Sequence, residues 1–361
     1  MANSDMWTDL VEPVELTGYA RARLEDYERQ QNGSLSAWLP NDFIPDIVAR
    51  FEVGGTGLQP VAEFISYDAE TPTGSLPGAQ RVTIELPKLG QKRRVSEYEQ
   101  LRMRGNTSGV ALIPNIQRHT ESLVDAASDR MEYERGYAIE NASLLIDDET
   151  GFRQTGDWGR APEHEVAATD AGLVGNAWWN DPTSDPIEHI IAWKEQYIAT
   201  NGFGPGTLLT STRVFTTMMR HPSLQALVGL GNVAGAPQIV TAAKVNDVLA
   251  SFDLPPIRTY DRQVNLRGTV VKVLSPEYLF MLPAPGGTVG GVNLGRTYWG
   301  QTLESTEPEY GIAEMERPGI VVGTWKTRDP IGVWVHMAAI GLAVLGDANL
   351  TLRAQVLPET S

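Results

Sequence analysis

The sequence predicts an α+β fold. Three observations carry that expectation: one long stretch of helical periodicity near the middle of the chain, a charged two-limbed β-hairpin ahead of it, and a series of β-rich runs at the C-terminal end. A length of 361 residues leaves room for about two domains with ample core. Hydrophobic residues make up 42% and charged residues 20%, which excludes a wholly disordered chain.

Taken in order, residues 1–50 begin with a charge-mixed stretch in which Arg21, Arg23, Glu25, Asp26, Glu28 and Arg29 are spaced to decorate one short helix. A loop follows at Asn32-Gly33-Ser34. The segment Trp38-Leu39-Pro40-Asn41-Asp42-Phe43-Ile44-Pro45 then sets bulky apolar groups between prolines, which fit neither a helix interior nor a central strand. It reads as an extended arm lying on another surface. From Phe51 to Arg104 the β-rich run Val61 to Tyr67, the turn cluster Thr71 to Gly78 and the run Arg81 to Leu86 predict a long hairpin. Its returning limb carries Lys88, Lys92, Arg93 and Arg94, then Glu97, Glu99, Arg102 and Arg104. Such a ribbon has little core of its own, so it is either a solvated ribbon or one that completes its burial on a neighbouring subunit.

Ile116, Thr120, Leu123, Val124, Ala127, Met131, Ala138, Ala142 and Leu145 advance by threes and fours, which predicts a helix over about Asn115 to Ser143. At 1.5 Å per residue it would be roughly 44 Å long, the length of a structural spine. Asp147 to Gly151 is the turn of a following hairpin. Trp178-Trp179-Asn180-Asp181-Pro182-Thr183-Ser184-Asp185-Pro186 reads as a rigid connector and domain boundary, with Asp185-Pro186 starting a helix through Ile187, Ile190, Ile191, Trp193 and Ile198. A second α/β region follows: a strand at Gly206 to Leu209, helices near Thr212 to Arg220 and Ala242 to Phe252, and a strand at Ile257 to Tyr260. Pro283 to Gly295 is a glycine-rich loop. Gly319 to Leu357 holds three β-rich runs broken at Asp329-Pro330 and Gly346-Asp347, expected to form a sheet on the spine helix.

Chemistry finds no seat in this sequence. There is no cysteine, which removes disulfides, thiol nucleophiles and thiolate metal sites. The five histidines, at 119, 164, 189, 221 and 336, form no H-x-x-x-H pair, so no metal site is expected; Glu163-His164-Glu165 reads as a wet loop and His336 as a buried, hydrogen-bonded histidine. Gly105-Asn106-Thr107-Ser108-Gly109 is mis-spaced for a serine elbow. Gly202-Phe203-Gly204-Pro205-Gly206 places a proline where a phosphate loop needs an N–H, and Gly286 to Gly291 precedes no clear helix, so neither phosphate nor dinucleotide binding is expected. Carboxylate pairs such as Asp147-Asp148 or Glu307 with Glu309 arise by chance in so acidic a chain. No cofactor, no metal and no catalytic residue is expected. The net charge of −16 argues against a general nucleic-acid binder. The acidic N-terminus is not a secretory signal, and the longest apolar run, Ile331 to Leu345, is too short to span a bilayer, so a soluble, cytoplasmic chain without a membrane partner is expected.

The order of arm, charged hairpin, spine helix, hairpin, α/β insert and returning sheet resembles a tailed-bacteriophage major capsid protein of the Hong Kong 97 fold, within the lambda-type and actinobacteriophage capsid proteins. The residues that carry the resemblance are Trp38-Leu39-Pro40-Asn41, Tyr67-Asp68-Ala69-Glu70-Thr71-Pro72, Pro77-Gly78-Ala79, Glu97-Tyr98, Leu101-Arg102-Met103-Arg104-Gly105, Thr155-Gly156-Asp157-Trp158-Gly159-Arg160, Asp181 to Pro186, and Gly323 to Trp334. The resemblance implies an N-terminal arm (1–50), an extended loop (51–104), a peripheral domain (105–184 and 312–361) built on the spine helix, and an axial α/β domain (185–311). It implies a structural shell protein, not an enzyme, that assembles as pentamers and hexamers into an icosahedral virion capsid around double-stranded DNA, in the host bacterial cytoplasm. The inter-subunit contacts are expected at Trp38, Phe43, Tyr67, Lys88, Lys92, Arg93, Arg94, Glu97, Glu99, Arg102 and Arg104. The implied partners are copies of the chain itself, a portal protein, in some relatives a decoration protein, and DNA held without sequence specificity. The hairpin begins too early for a fused scaffolding segment, so a separate scaffolding protein is expected. Lys88 and Lys92 are expected to be plain surface lysines, not cross-linking ones, and the inner face is expected not to be strongly basic. Two rival readings are an encapsulin-like compartment shell, which shares the fold, and an acidic cytoplasmic hydrolase.

Overall fold

A computed structural model describes residues 5–6, 11–30, 34–53, 80–103, 113–147, 153–229, 240–286, 294–329 and 331–359. Its elements begin with β1 (Asp5–Met6), α1 (Pro13–Gln30), β2 (Asn41–Phe43), β3 (Val48–Val53), β4 (Gln80–Glu85), β5 (Lys88–Val95), α2 (Glu97–Met103) and α3 (Ile113–Asn141). They continue with β6 (Ser143–Asp147), β7 (Arg153–Asp157), β8 (Glu165–Ala167), α4 (Pro186–Asn201), β9 (Thr207–Thr210), α5 (Thr212–Arg220), α6 (Pro222–Gly229) and α7 (Ala242–Ser251). The last are β10 (Ile257–Thr259), β11 (Gln263–Leu266), β12 (Thr269–Lys272), β13 (Tyr278–Leu282), β14 (Gly295–Trp299), β15 (Val321–Arg328), β16 (Ile331–Leu345) and β17 (Leu352–Gln355).

Two compact units divide the chain. The first comprises residues 1–50, 83–135 and 296–344. Its six-stranded sheet has the order β1-β15-β16-β14-β2, with β5 also paired to β16. Strand period two sends Val322, Val335, Met337 and Ala339 to one face, where they meet Ile116, Leu123, Val124, Ala127 and Met131 of α3 and Leu16, Ala20 and Leu24 of α1. Burying each large side chain contributes about 1.5–3 kcal/mol. The periodic positions of the spine helix are therefore core positions.

Helix α1 lies alongside α3 and runs in the same direction, because its contacts advance by four residues on both helices at each step. Tyr19 donates to Glu121, Arg23 reaches Asp125 with two bonds of 3.0 Å, and Tyr27 donates to Asp129 at 3.3 Å. Its inner side also closes the edge of the sheet. Thr17 Oγ1 donates to Val322 O (3.1 Å) and accepts from Val322 N (3.2 Å), and Arg21 donates to Ile320 O. Thr17 is 2% exposed, so Thr17→Val would leave both Val322 backbone groups without a partner. A loss of about 1–3 kcal/mol in chemical denaturation is expected; a change below a few tenths would show that water replaces the hydroxyl.

The second unit comprises residues 51–82, 136–295 and 345–361. Its sheet has the order β10-β9-β13-β17-β8, parallel between β10 and β9 and between β17 and β8, and antiparallel at β13. Around it gather Trp179, Ile190, Trp193, Tyr197, Leu208, Met218, Leu249, Leu279 and Leu352, all at most 1% exposed. Asp185 caps α4, accepting from Ile187 N at 3.2 Å, with Pro186 in the first turn and Gly202 closing the helix at φ 81°. The last turn of α3 is held by Arg160, which donates to the carbonyls of Ile139 and Glu140, as a cation does best at a helix C-terminus. Burial pushes the Arg160 guanidinium down to about 10.

Several expectations change. The segment Trp38 to Pro45 lies on its own chain: Trp38 and Leu39 are 4% and 0% exposed, and β2 pairs in parallel with β14. The limb Lys88 to Val95 does not project as a ribbon, because all eight residues pair with Val333 to Ile340 of β16. β3 and β4 form a separate two-stranded ribbon, and the expected strand Val61 to Tyr67 lies outside the described residues. The third C-terminal run, β17, joins the second unit's sheet and not the one on the spine. Trp178 to Pro186 lies within the second unit. His164 is not in a wet loop; it is fully buried, hydrogen-bonded to Thr351 O at 3.1 Å and stacked on Tyr197. His336 is half-buried beside Trp325.

Candidate assembly surfaces

The residues expected at subunit contacts fall into four groups. Trp38 is enclosed by its own chain, just after the 3-10 turn Leu35–Ala37, and offers no surface. Glu99 is used locally: its carboxylate accepts from Ser96 N (2.8 Å) and Ser96 Oγ, while Glu99 N donates to Ser96 Oγ, a reciprocal box that starts α2. Tyr67 and Arg104 lie outside the described residues, and of Arg102 only its place in α2 is described.

The rest are accessible. Phe43 is 53% exposed at the end of β2, over Gly319. Glu97 is exposed on the first turn of α2. Strand β5 distributes its cations over two faces by its register. Arg93 stands opposite Val335 on the helix side, whereas Lys92 and Arg94 stand opposite His336 and Trp334 on the other. There Lys92 Nζ is 4.9 Å from the centre of the Trp334 ring and the Arg94 guanidinium 5.9 Å, and Arg94 also donates to Ile331 O. Lys88 ends the row in an ion pair with Glu304 at 2.6 Å.

The structure adds exposed apolar side chains that the sequence reading left out: Tyr98 and Leu101, one turn apart on α2, Leu303 at 78% and Met315 at 94%. The Ser96-x-x-Glu99 spacing was a signal for α2, and with it for the shared face of Tyr98 and Leu101. Among the described residues no cluster of His, Asp and Glu is placed to hold a metal ion, and no helix is long and apolar enough to cross a membrane.

What holds the arm in place is a buried polar network in the first unit. Arg135, 0% exposed, donates from Nε to Thr297 Oγ1 (2.9 Å), from Nη1 to Glu28 (2.8 Å) and Glu132 (3.1 Å), and from Nη2 to Asn41 Oδ1 (2.6 Å). Glu132 in turn accepts from Leu35 N and Ser34 Oγ, and Asn41 accepts from Trp299 Nε1 and donates to Glu28. The guanidinium thus ties the spine helix, α1, the arm and β14 together.

In the second unit, Trp179 Nε1 donates to His189 Nδ1 (3.1 Å), so the proton sits on Nε2, which donates to Val174 O (3.0 Å). Burial lowers His189, as it lowers His119, His164 and His336. A histidine held neutral in the fold takes up its proton more readily unfolded, so its contribution is complete above about 6.5 and is lost as the pH falls below that. The thermal midpoint is expected to be lower at pH 5 than at pH 7.5. An unchanged midpoint would contradict the neutral assignment.

The sequence matches the family model described as phage major capsid protein E over residues 53–356. The chain belongs to the phage major capsid protein E family. No curated protein matches the sequence. Among solved structures, the fold is similar to a protein assigned to the capsid of a prophage of Escherichia coli CFT073, at 13% identity, with 94% of this chain and 98% of that one covered and a TM-score of 0.62. It is also similar to a phage-related protein from Bordetella bronchiseptica RB50, at 15% identity, with 96% and 98% covered and a TM-score of 0.56. The α+β fold is therefore one shared with these phage proteins, and the chain is a phage major capsid protein. Such subunits associate with one another to form the shell of the virion.

Proposed function

We propose that this capsid subunit is a purely structural building block, without catalysis, that assembles as pentamers and hexamers into an icosahedral shell enclosing double-stranded DNA. The observation that carries the reading is the family match over residues 53–356. The separation of surfaces supports it: a network-anchored arm whose Phe43 is exposed, an exposed apolar pair on α2, and a cationic sheet face are features of a part made to be joined. In the shell, residues 1–50 act as arm and 51–104 as extended loop with Lys88–Val95 counted to the sheet it joins; the peripheral domain is built on the spine helix and the β15-β16 sheet, and the axial domain on the β10-β9-β13-β17-β8 sheet, which takes in β17. Phe43, Lys92, Arg94 and Glu97 are the contact residues among those described. Assembly takes place in the host cytoplasm, on a separate scaffolding protein and around a portal. Exposed ion pairs contribute about 0–1 kcal/mol each, so the charges set register and partner choice more than affinity, and the repetition of contacts supplies stability.

Negative-stain electron microscopy of the purified chain, alone and co-expressed with its scaffolding protein, tests this. Rings, tubes or closed shells tens of nanometres across are expected. Small soluble particles in both preparations would overturn it.

A further inference from the structure

The β1-β15-β16-β5 sheet buries one face on α1 and α3, and among the described residues the segment holding Tyr310 and Ile312 covers part of the other. On that second face Tyr310 and Ile312 pack on Val321, and the Tyr310 ring lies against Gly323. Glu304 of the same segment pairs with Lys88. Beyond them the face holds Trp325, Trp334, Lys92 and Arg94, and neither cation has an ion pair among the described residues. This part of the face is thus cationic and aromatic in a chain of net charge −16.

The covering segment shows what suits this face. Its inner side supplies a carboxylate and apolar groups to the covered part. Its outer side repeats that chemistry, with Leu303 and Met315 almost fully exposed and the carboxylates of Glu307, Glu309 and Glu314 in solvent without ion pairs among the described residues. Positive and negative strips lie side by side, joined at Lys88–Glu304, which is the arrangement a self-complementary contact requires. We propose that the rest of this sheet face is a contact surface for a second copy of the chain, and that it receives the outer side of that copy's acidic segment, residues 303–316. The inference rests on the self-assembly reading and names the two surfaces that meet.

The absence of cysteine makes the contact directly readable. Full-length Arg94→Cys and Met315→Cys chains, mixed and mildly oxidised, are expected to give a dimer band at twice the 39.5 kDa of the chain. Arg94→Cys mixed with Val270→Cys, a 63% exposed position of the second unit, is the control. A yield at least tenfold above the control supports the proposal, and a yield equal to it overturns the proposal whether or not shells form. In the microscope, Lys92→Glu/Arg94→Glu and Glu307→Lys/Glu309→Lys should each abolish shells, and the chain carrying all four changes should regain them. Wild-type-like assembly by both one-sided variants would overturn the contact but leave the capsid reading intact. Normal assembly of Lys92→Glu/Arg94→Glu with loss of binding to a DNA duplex would assign the face to nucleic acid instead.

Discussion

Arg135→Ala is expected to cost about 3–5 kcal/mol of stability, the range for removing one partner of a buried charge network. The guanidinium is wholly buried, and its neighbour Glu132 is 0% exposed as well. Without Arg135, Glu132 and the nearly buried Glu28 would face each other with no cation between them. The same loss would remove the Arg135 bonds to Asn41 and Thr297, leaving the bonds of Ser34 and Leu35 to Glu132 to tie the segment 34–43 to the spine helix. Arg135→Lys should fall between wild type and alanine, because an ammonium keeps the charge but cannot reach Thr297, Asn41 and two carboxylates from one fork. Adding Glu132→Gln to Arg135→Ala should recover part of the loss, since the amide oxygen can still accept from Leu35 N while the uncompensated charge disappears. Chemical denaturation of the unassembled subunit is the measurement. A loss under 1 kcal/mol, or a double variant no better than the single, would show that the network carries little stability.

How far this was legible can be judged residue by residue. Helical periodicity placed the spine within two residues at each end, Asn115 to Ser143 against Ile113–Asn141, because apolar steps of three and four have no other regular reading over that length. Asp185-Pro186 placed the start of α4, because a cap followed by proline is local chemistry. Local signals could not say which surface the arm lies on. Trp38-Leu39 looked like side chains awaiting a neighbour, and whether that neighbour is another subunit or β14 of the same chain depends on pairings about 255 residues apart. The charged limb Lys88 to Val95 failed for the same reason. Alternating charge reads as solvent exposure, yet Lys92 and Arg94 rest on Trp334, a partner that only the register of β16 reveals. Arg135 and Glu132 read as the polar side of an amphipathic helix; their burial follows from α1 and the arm closing over that side.

Gly136→Ala is expected to destabilise the protein, against the sign that helix propensity alone would give. A glycine inside a helix costs about 1 kcal/mol relative to alanine, so filling the position should help where space is free. At Gly136 it is not free: a Cβ there would lie 2.4 Å from both the carbonyl oxygen and Cγ1 of Val273. The Val273 side chain can turn away, but its carbonyl is backbone and held beside Ser275, whose N–H and hydroxyl both bond Glu140 one helical turn on from Gly136. The helix or the Val273–Ser275 segment must move, and overpacking of this kind costs about 1–3 kcal/mol. Gly18→Ala is the matched control, because that glycine also sits inside a helix but has nothing within 4 Å of the point where a methyl group would sit. It should stabilise by up to about 1 kcal/mol. Opposite signs for the two substitutions in the same denaturation series would establish that Gly136 is retained for close approach. A gain at both positions would mean that Val273 is not seated on the helix, and with it that Glu140 does not hold the Ser275 turn.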